Sequence, residues 1–296
     1  MTAFSATDAA FEGFRITREK PKILLIWAGF YLVSSFLMPI LMITMGGQNL
    51  MALEAAANDR NADPAAAMAN FAALAPLYAV LLPVGLLVQT MLAAAIYRAM
   101  LRPSDNGFGY LRLGRDELRL AILTAIYFVL AMIAVMVVVV VGGVTAGVAS
   151  TLMGSPAIGV GLGLFFLGLL FYVAVRLSLA PVATFAERRL AIFESWRLTK
   201  GQFWRLFGAY LLAICSVIVV LLLASVIFMA IAAIASGGDL ASAGKLFAPD
   251  LSSIAAYFTP AMIAYTIFGA FLFVFYYTVL VAPAVVAYQA LTDAAA

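Results

Sequence analysis

Several apolar runs in this chain, such as residues 23–44, reach the ~20 residues that carry an α-helix across a ~30 Å hydrocarbon core. No other feature constrains the fold as much. In hydrocarbon, every backbone N–H and C=O must find its partner within the protein, so runs of this kind cross as helices. Charged residues are 10% of the 296 and hydrophobic ones 66%, whereas a soluble domain is about a quarter charged. Nothing outside the runs is long enough to bury a soluble core. The chain therefore reads as an all-α polytopic membrane protein, one integral membrane domain over 1–296.

Hydropathy predicts six transmembrane helices, roughly 22–46, 74–101, 118–144, 158–182, 206–234 and 260–290. The positions of Lys and Arg orient them. With the N-terminus in the cytoplasm, the inner set is Arg15, Arg18, Lys20, Lys22, Arg98, Arg102, Arg112, Arg115, Arg119, Arg188, Arg189, Arg197, Lys200 and Arg205, while only Arg60 and Lys245 fall outside. This positive-inside bias predicts a multi-pass protein of a cytoplasmic membrane with both termini inside. The first span, preceded by four cations, is too long for a secretory core and lacks a small-residue cleavage site, so it reads as an uncleaved anchor. In the outer connections, 65–73 and 251–258 are candidates for short surface helices.

A pattern recurs before the odd-numbered spans: FEGFRITREKPK (11–22), FGYLRLGRDELR (108–119) and FESWRLTKGQFWR (193–205). Each has Phe, two residues, an apolar residue, Arg, an apolar residue, Thr or Gly, then Arg or Lys. A weaker echo closes the even spans, where Arg98, Arg176 and Thr278 each precede a proline by five residues. The arrangement predicts three tandem helical hairpins, about 11–103, 108–181 and 193–283. They start on the same side, as parallel repeats whose pseudo-symmetry axis follows the membrane normal. Each hairpin would be entered through a cytoplasmic amphipathic elbow helix. In the third copy Phe193, Trp196, Arg197 and Lys200 share one helical stripe, and Gly201 suits a left-handed helix end.

Cations at this boundary enforce topology and snorkel. They also suit lipid phosphates or a partner's carboxylates, at about 1 kcal/mol each beside an anionic leaflet. The candidate lipid- or partner-binding residues are Arg15, Arg18, Arg98, Arg112, Arg115, Arg176, Arg197, Lys200 and Trp196. Arg176 stands about 27 Å along its span, near the inner boundary. Polar residues within the spans give a second candidate set, lining a cavity: Gln89, Ser178, Tyr276 and Thr278. Gly159 and Gly163 form a GxxxG pair suited to close helix packing. Pro39, Pro83 and Pro181 are expected to kink their spans.

Catalysis is poorly served. The chain has no histidine, which removes a Ser-His dyad, an HExxH site and any His-bound metal. No carboxylate lies well inside a span. Asp116, Glu117, Glu187 and Glu194 fall in the elbows, where pairing with nearby arginines or starting helices is their simplest use. No motif calls for a cofactor, the lone Cys215 excludes an internal disulfide, and the basic residues follow topology rather than nucleic acid.

The stretch RLSLAPVATFAERRLAIFESWRLTKGQFWRLFGAYLL resembles the membrane domain associated with bacterial glycerophosphoryl diester phosphodiesterases and its multi-pass inner-membrane relatives. The matching positions are Arg176, Pro181, Glu187, Ser195, Trp196, Leu198, Gly201 and Phe203, about an eighth of the chain. The resemblance implies a bacterial inner-membrane module linked with envelope lipids. It does not imply the phosphodiesterase activity, which belongs to a soluble, histidine-dependent barrel. The expected function is a non-catalytic module whose basic elbows engage anionic lipid headgroups, a membrane-protein partner or a second copy. The alternative is a facilitator moving a lipid or small neutral solute through a cavity between the hairpins.

Overall fold

The computed structural model describes residues 5–58, 63–152, 154–238, 244 and 247–293. Arg60 and Lys245 lie outside these. The described residues form helices and no strand, with six helices long and apolar enough to cross a membrane. It is an all-α polytopic membrane protein. Helices α1 (Ala6–Glu19) and α2 (Pro21–Leu41) are separated at Lys20, with Pro21 opening α2. A π-turn, Met42–Gly46, joins α2 to α3 (Gly47–Asn58); α4 (Pro64–Ala73) and α5 (Ala75–Leu101) follow. Then come α6 (Arg115–Val137), a second π-turn (Val138–Gly142), α7 (Gly143–Leu152), α8 (Pro156–Leu177), α9 (Ala180–Glu187) and α10 (Glu194–Leu198). The chain ends with α11 (Phe203–Ala235), α12 (Ile254–Tyr257) and α13 (Pro260–Asp293).

Of the two short helices expected in the connections, 65–73 is α4, capped by Asp63 accepting from the Ala65 N–H at 2.9 Å, and 251–258 holds only the single turn α12, capped by Ser253. Pro39 and Pro83 lie inside continuous helices, whereas Pro181 sits in the first turn of α9, beyond a break at Ser178–Leu179. A proline has no N–H to give and crowds the preceding turn, so the span divides there.

The elbows differ from one another. The first is a regular helix, α1, and the third the short α10, ended by Gly201 at φ +75. The second does not form the expected amphipathic helix. Residues Gly107–Tyr110 make a single 3₁₀ turn with Phe108, Gly109 and Tyr110 all at positive φ, and α6 starts only at Arg115. Pro103, Gly107, Gly109 and Gly114 leave no uninterrupted window in which a helix could nucleate.

The chain divides into two compact units. The first comprises 1–13, 93–213 and 280–296. Its core gathers Ala9, Ala94 and Tyr97, Leu120, Val175, Leu179, Val182 and Ala183, Phe185, Ala191, Leu206 and Ala209, and Ala284, Val285, Ala287 and Tyr288. These belong to the helix ends and connections that the cation tally assigns to the cytoplasm. Alanines dominate the contacts, which lets the helices approach closely. Within this unit α7 and α8 form a tight hairpin: a Cβ on Gly159 would stand 3.2 Å from the Ala146 carbonyl oxygen, and one on Gly142 would stand 3.0 Å from the Phe166 ring. Gly163 has open space around it, so the packing expected of the GxxxG pair falls to Gly159 alone.

The second unit comprises 14–92 and 214–279. Its packing is aromatic. Tyr31 stacks on Phe273 with centroids 3.9 Å apart, and Phe228 packs against Tyr265 and Phe268. Gly46, at the first π-turn, sits in a tight place, because a Cβ there would meet the methyl ends of Leu50 at 2.6 Å and Leu77 at 2.8 Å and both would have to shift.

Candidate anion-binding cleft

In the first unit, the end of α5, the turn after it, the start of α6 and the end of α9 surround an open cleft of about 400 Å³. Six arginines line it: Arg98, Arg102, Arg112, Arg115, Arg119 and Arg188. Three carboxylates face them: Asp105, Asp116 and Glu117. The lining thus carries three more positive charges than negative.

The frame is a buried ion pair. Arg98 is 3% exposed and Glu117 is 1% exposed. The Arg98 guanidinium donates to Glu117 and to the Tyr110 carbonyl, with Asp105 3.7 Å from Nε. Tyr110 in turn donates its hydroxyl to the Pro103 carbonyl at 3.0 Å. This closes the left-handed turn at 108–110, whose two non-glycine positions cost roughly 1–3 kcal/mol each. The 3₁₀ turn thus aims a carbonyl at Arg98 that an α-helix would have consumed internally.

Arg102 forms a second layer. It donates to Asp116 at 3.2 Å and to the Phe185 carbonyl at 3.2 Å, and lies 4.8 Å from the Phe185 ring centroid. Asp116 also accepts from Arg119 at 2.8 Å. The rim is less committed. Arg112, 48% exposed, pairs with Asp105. Arg115 is exposed at the start of α6, and Arg188 caps α9 in the left-handed conformation at φ 55. Among the described residues these last two make no ion pair. A guanidinium has five N–H donors, so the rim holds many donors that no carboxylate uses. Planar forks of this kind match phosphate and carboxylate oxygens in pairs.

The third elbow is organised differently. The break in α8 leaves the Arg176 carbonyl without a helical partner, and two hydroxyls take it: Ser195 Oγ at 2.7 Å and Thr199 Oγ1 at 3.2 Å. Ser195 Oγ also accepts the Leu179 N–H at 3.1 Å. Both hydroxyl residues are fully buried. Arg176 is buried too, its guanidinium 4.6 Å from the Trp196 ring centroid, with Nε lacking a hydrogen-bond partner among the described residues. Arg197 pairs with Glu194 of its own helix, while Lys200 is exposed.

Of the nine binding residues expected from sequence, the cleft unites Arg98, Arg112 and Arg115. Arg176 and Trp196 form a separate stack, Arg197 and Lys200 lie on the third elbow, and Arg15 and Arg18 lie on exposed positions of α1. Arg102, Arg119 and Arg188 join the cleft although sequence marked them only as topological cations. Their signal was present in the acidic cluster at Asp105, Asp116 and Glu117, which has arginines on both sides. The four expected cavity residues do not share one lining. Gln89 borders a groove in the second unit, and Ser178 an apolar one in the first. Thr278 is fully buried, donating to the Val274 carbonyl at 2.8 Å, and Tyr276 packs edge-on against Phe273.

The chain matches no family model, no curated protein and no solved structure, so none of these comparisons links it to the phosphodiesterase-associated membrane domain that its third elbow resembles.

Proposed function

We propose that this multi-pass membrane protein is a non-catalytic module that holds phosphate groups of anionic lipids in the arginine cleft, on the cytoplasmic face of a bacterial inner membrane. The observation that carries the reading is the rim: Arg112, Arg115 and Arg188 bring exposed guanidinium groups to one opening above the buried Arg98–Glu117 pair. A site built for internal pairing would match its charges, but this one has twice as many arginines as carboxylates. The depth supports a lipid source, since the cleft lies where α5 ends and α6 begins, at ends of helices long enough to span. The absence of histidine supports the non-catalytic reading. The phosphodiesterase-domain resemblance would place the module in envelope lipid homeostasis.

The test is lipid retention. Protein in nanodiscs of mixed phosphatidylglycerol and phosphatidylethanolamine, examined by native mass spectrometry, is expected to keep phosphatidylglycerol preferentially. Arg112→Gln with Arg115→Gln should abolish that preference while R18Q leaves it intact. Equal retention by the double variant and the parent would overturn the reading, and so would restoration of the preference by neither lipid but by a co-purifying acidic protein.

A further inference from the structure

A groove with polar side chains in its lining lies in the second unit. It is bordered by α2, α5 and α13 and measures about 480 Å³, within the usual size of small-molecule sites. Its chemistry is unusual for a membrane-spanning region. Gln89 stands 14 residues after the first residue of α5 and 12 before the last, so it lies about 21 Å and 18 Å from the two ends at 1.5 Å per residue. That is mid-depth for a ~30 Å core. Ser34 and Ser35 fall at a similar distance, about 20 Å, from the start of α2. A carboxamide at this depth must find partners, because hydrocarbon offers none.

The protein supplies only part of what Gln89 needs. Its side chain is exposed and lies beside the Tyr277 hydroxyl, and that hydroxyl donates to the Gln89 main-chain carbonyl at 3.4 Å. A carboxamide has two N–H donors and two acceptor lone pairs, and one hydroxyl cannot occupy them all. The Ser34 and Ser35 hydroxyls both donate to the Tyr31 carbonyl, so they offer the groove acceptor lone pairs only. Beside these groups, three rings lie almost parallel: Phe273 is 3° from the plane of Tyr31 and 11° from that of Tyr277. Among the described residues, no charged one lines the groove.

We infer that the groove binds a flat, uncharged, carbonyl-bearing ring of the quinone type, carried on an apolar tail. Each property follows from the lining. The absence of charge selects a neutral ligand. The spare amide N–H calls for an acceptor such as a carbonyl. Tyr31, Phe273 and Tyr277 line the groove with aromatic carbon, which favours an unsaturated ring. Mid-depth excludes ordinary phospholipid, whose chain ends carry nothing with which to meet Gln89.

The probe is decylubiquinone, titrated into protein in phosphatidylcholine nanodiscs. Binding is followed by quenching of intrinsic fluorescence and by the infrared carbonyl stretch of ¹³C-labelled probe. The parent should bind saturably and shift the stretch to lower frequency. Gln89→Leu, which suits hydrocarbon better than Gln and should stay folded, is expected to weaken binding about tenfold, as for one lost neutral hydrogen bond, and to remove the shift. Gln89→Asn should restore part of both. Three results would overturn the inference: non-saturable binding, equal affinity for Q89L, or equal affinity for decylbenzene, which has the ring and tail but no carbonyl. Efficient disulfide-linked dimers of Q89C in a C215S background would also overturn it, by placing a second copy in the groove.

Discussion

Two buried residues, Arg98 and Glu117, decide the shape of the cleft, and their pairing sets an asymmetry that experiment can read. Removing one charge strands the other in a dry site, at about 3–5 kcal/mol, whereas replacing both with apolar groups of similar size is often near neutral. Glu117→Leu is therefore expected to lower the thermal midpoint in detergent sharply, and the double variant R98M/E117L to recover at least half of the loss. A double variant no better than E117L would show that the pair is not the frame. Ser195 offers a second test. Its hydroxyl serves two main-chain groups, the Arg176 C=O and the Leu179 N–H, so Ser195→Ala strands the buried Leu179 N–H and leaves the Arg176 C=O to Thr199 alone, which should cost about 2 kcal/mol. Ser195→Thr, keeping the hydroxyl, should cost less. At this scale the sequence was half legible. That Asp116, Glu117, Glu187 and Glu194 would pair with neighbouring arginines could be read from charge alone. That Arg98 would choose Glu117, 19 residues away, could not, because the left-handed turn at 108–110 brings them together. Ser195 stood out as part of a motif, but its task depends on a break in α8, 17 residues earlier.

Among the elements, the spans were the most legible. Their apolar length fixes them, and the observed helices start and stop within a few residues of the expected limits except where α3 extends beyond 46 and α7 beyond 144. The second elbow was the least legible. Its apolar and basic spacing matches the other two copies, but glycine and proline override a pattern only a few residues long, and the fold takes a tight turn instead. The π-turns were not visible at all, since the five residues Val138–Gly142 are ordinary helix formers in lipid. Their effect can be tested. A π-turn acts as one extra residue in a helix, so it sets which face α7 turns toward α8. Ser150 Cβ lies 3.5 Å from where a Gly159 Cβ would stand, a separation suited to a disulfide. S150C/G159C in a C215S background is expected to cross-link within one chain under mild oxidation. Deleting Val139 should rotate α7 by about 100° and abolish the cross-link. Persistence of the bond after deletion would mean that the π-turn does not set the register.

For the molecule as a whole, the positive-inside reading makes an orientation testable from both sides. Ser104 lies in the turn at the cleft and Ser252 just before α12. In C215S cells, S104C should react with a membrane-impermeant maleimide only after the membrane is opened, and S252C without that step. Reversed reactivity would invert the topology and place the arginine cleft on the wrong face for a cytoplasmic leaflet. One further property follows from how unevenly the spans depend on their neighbours. Half of the most apolar stretch of α13 and a third of that of α5 are covered by protein, against 6% for each arm of the hairpin around α7 and α8. The hairpin can therefore partition into lipid as soon as it leaves the translocation machinery, whereas α5, carrying Gln89 and Arg98, gains part of its shelter from α13, which arrives last. During biogenesis the middle of the chain would settle first, and the early span would wait in the bilayer, incompletely dressed, for the end of translation.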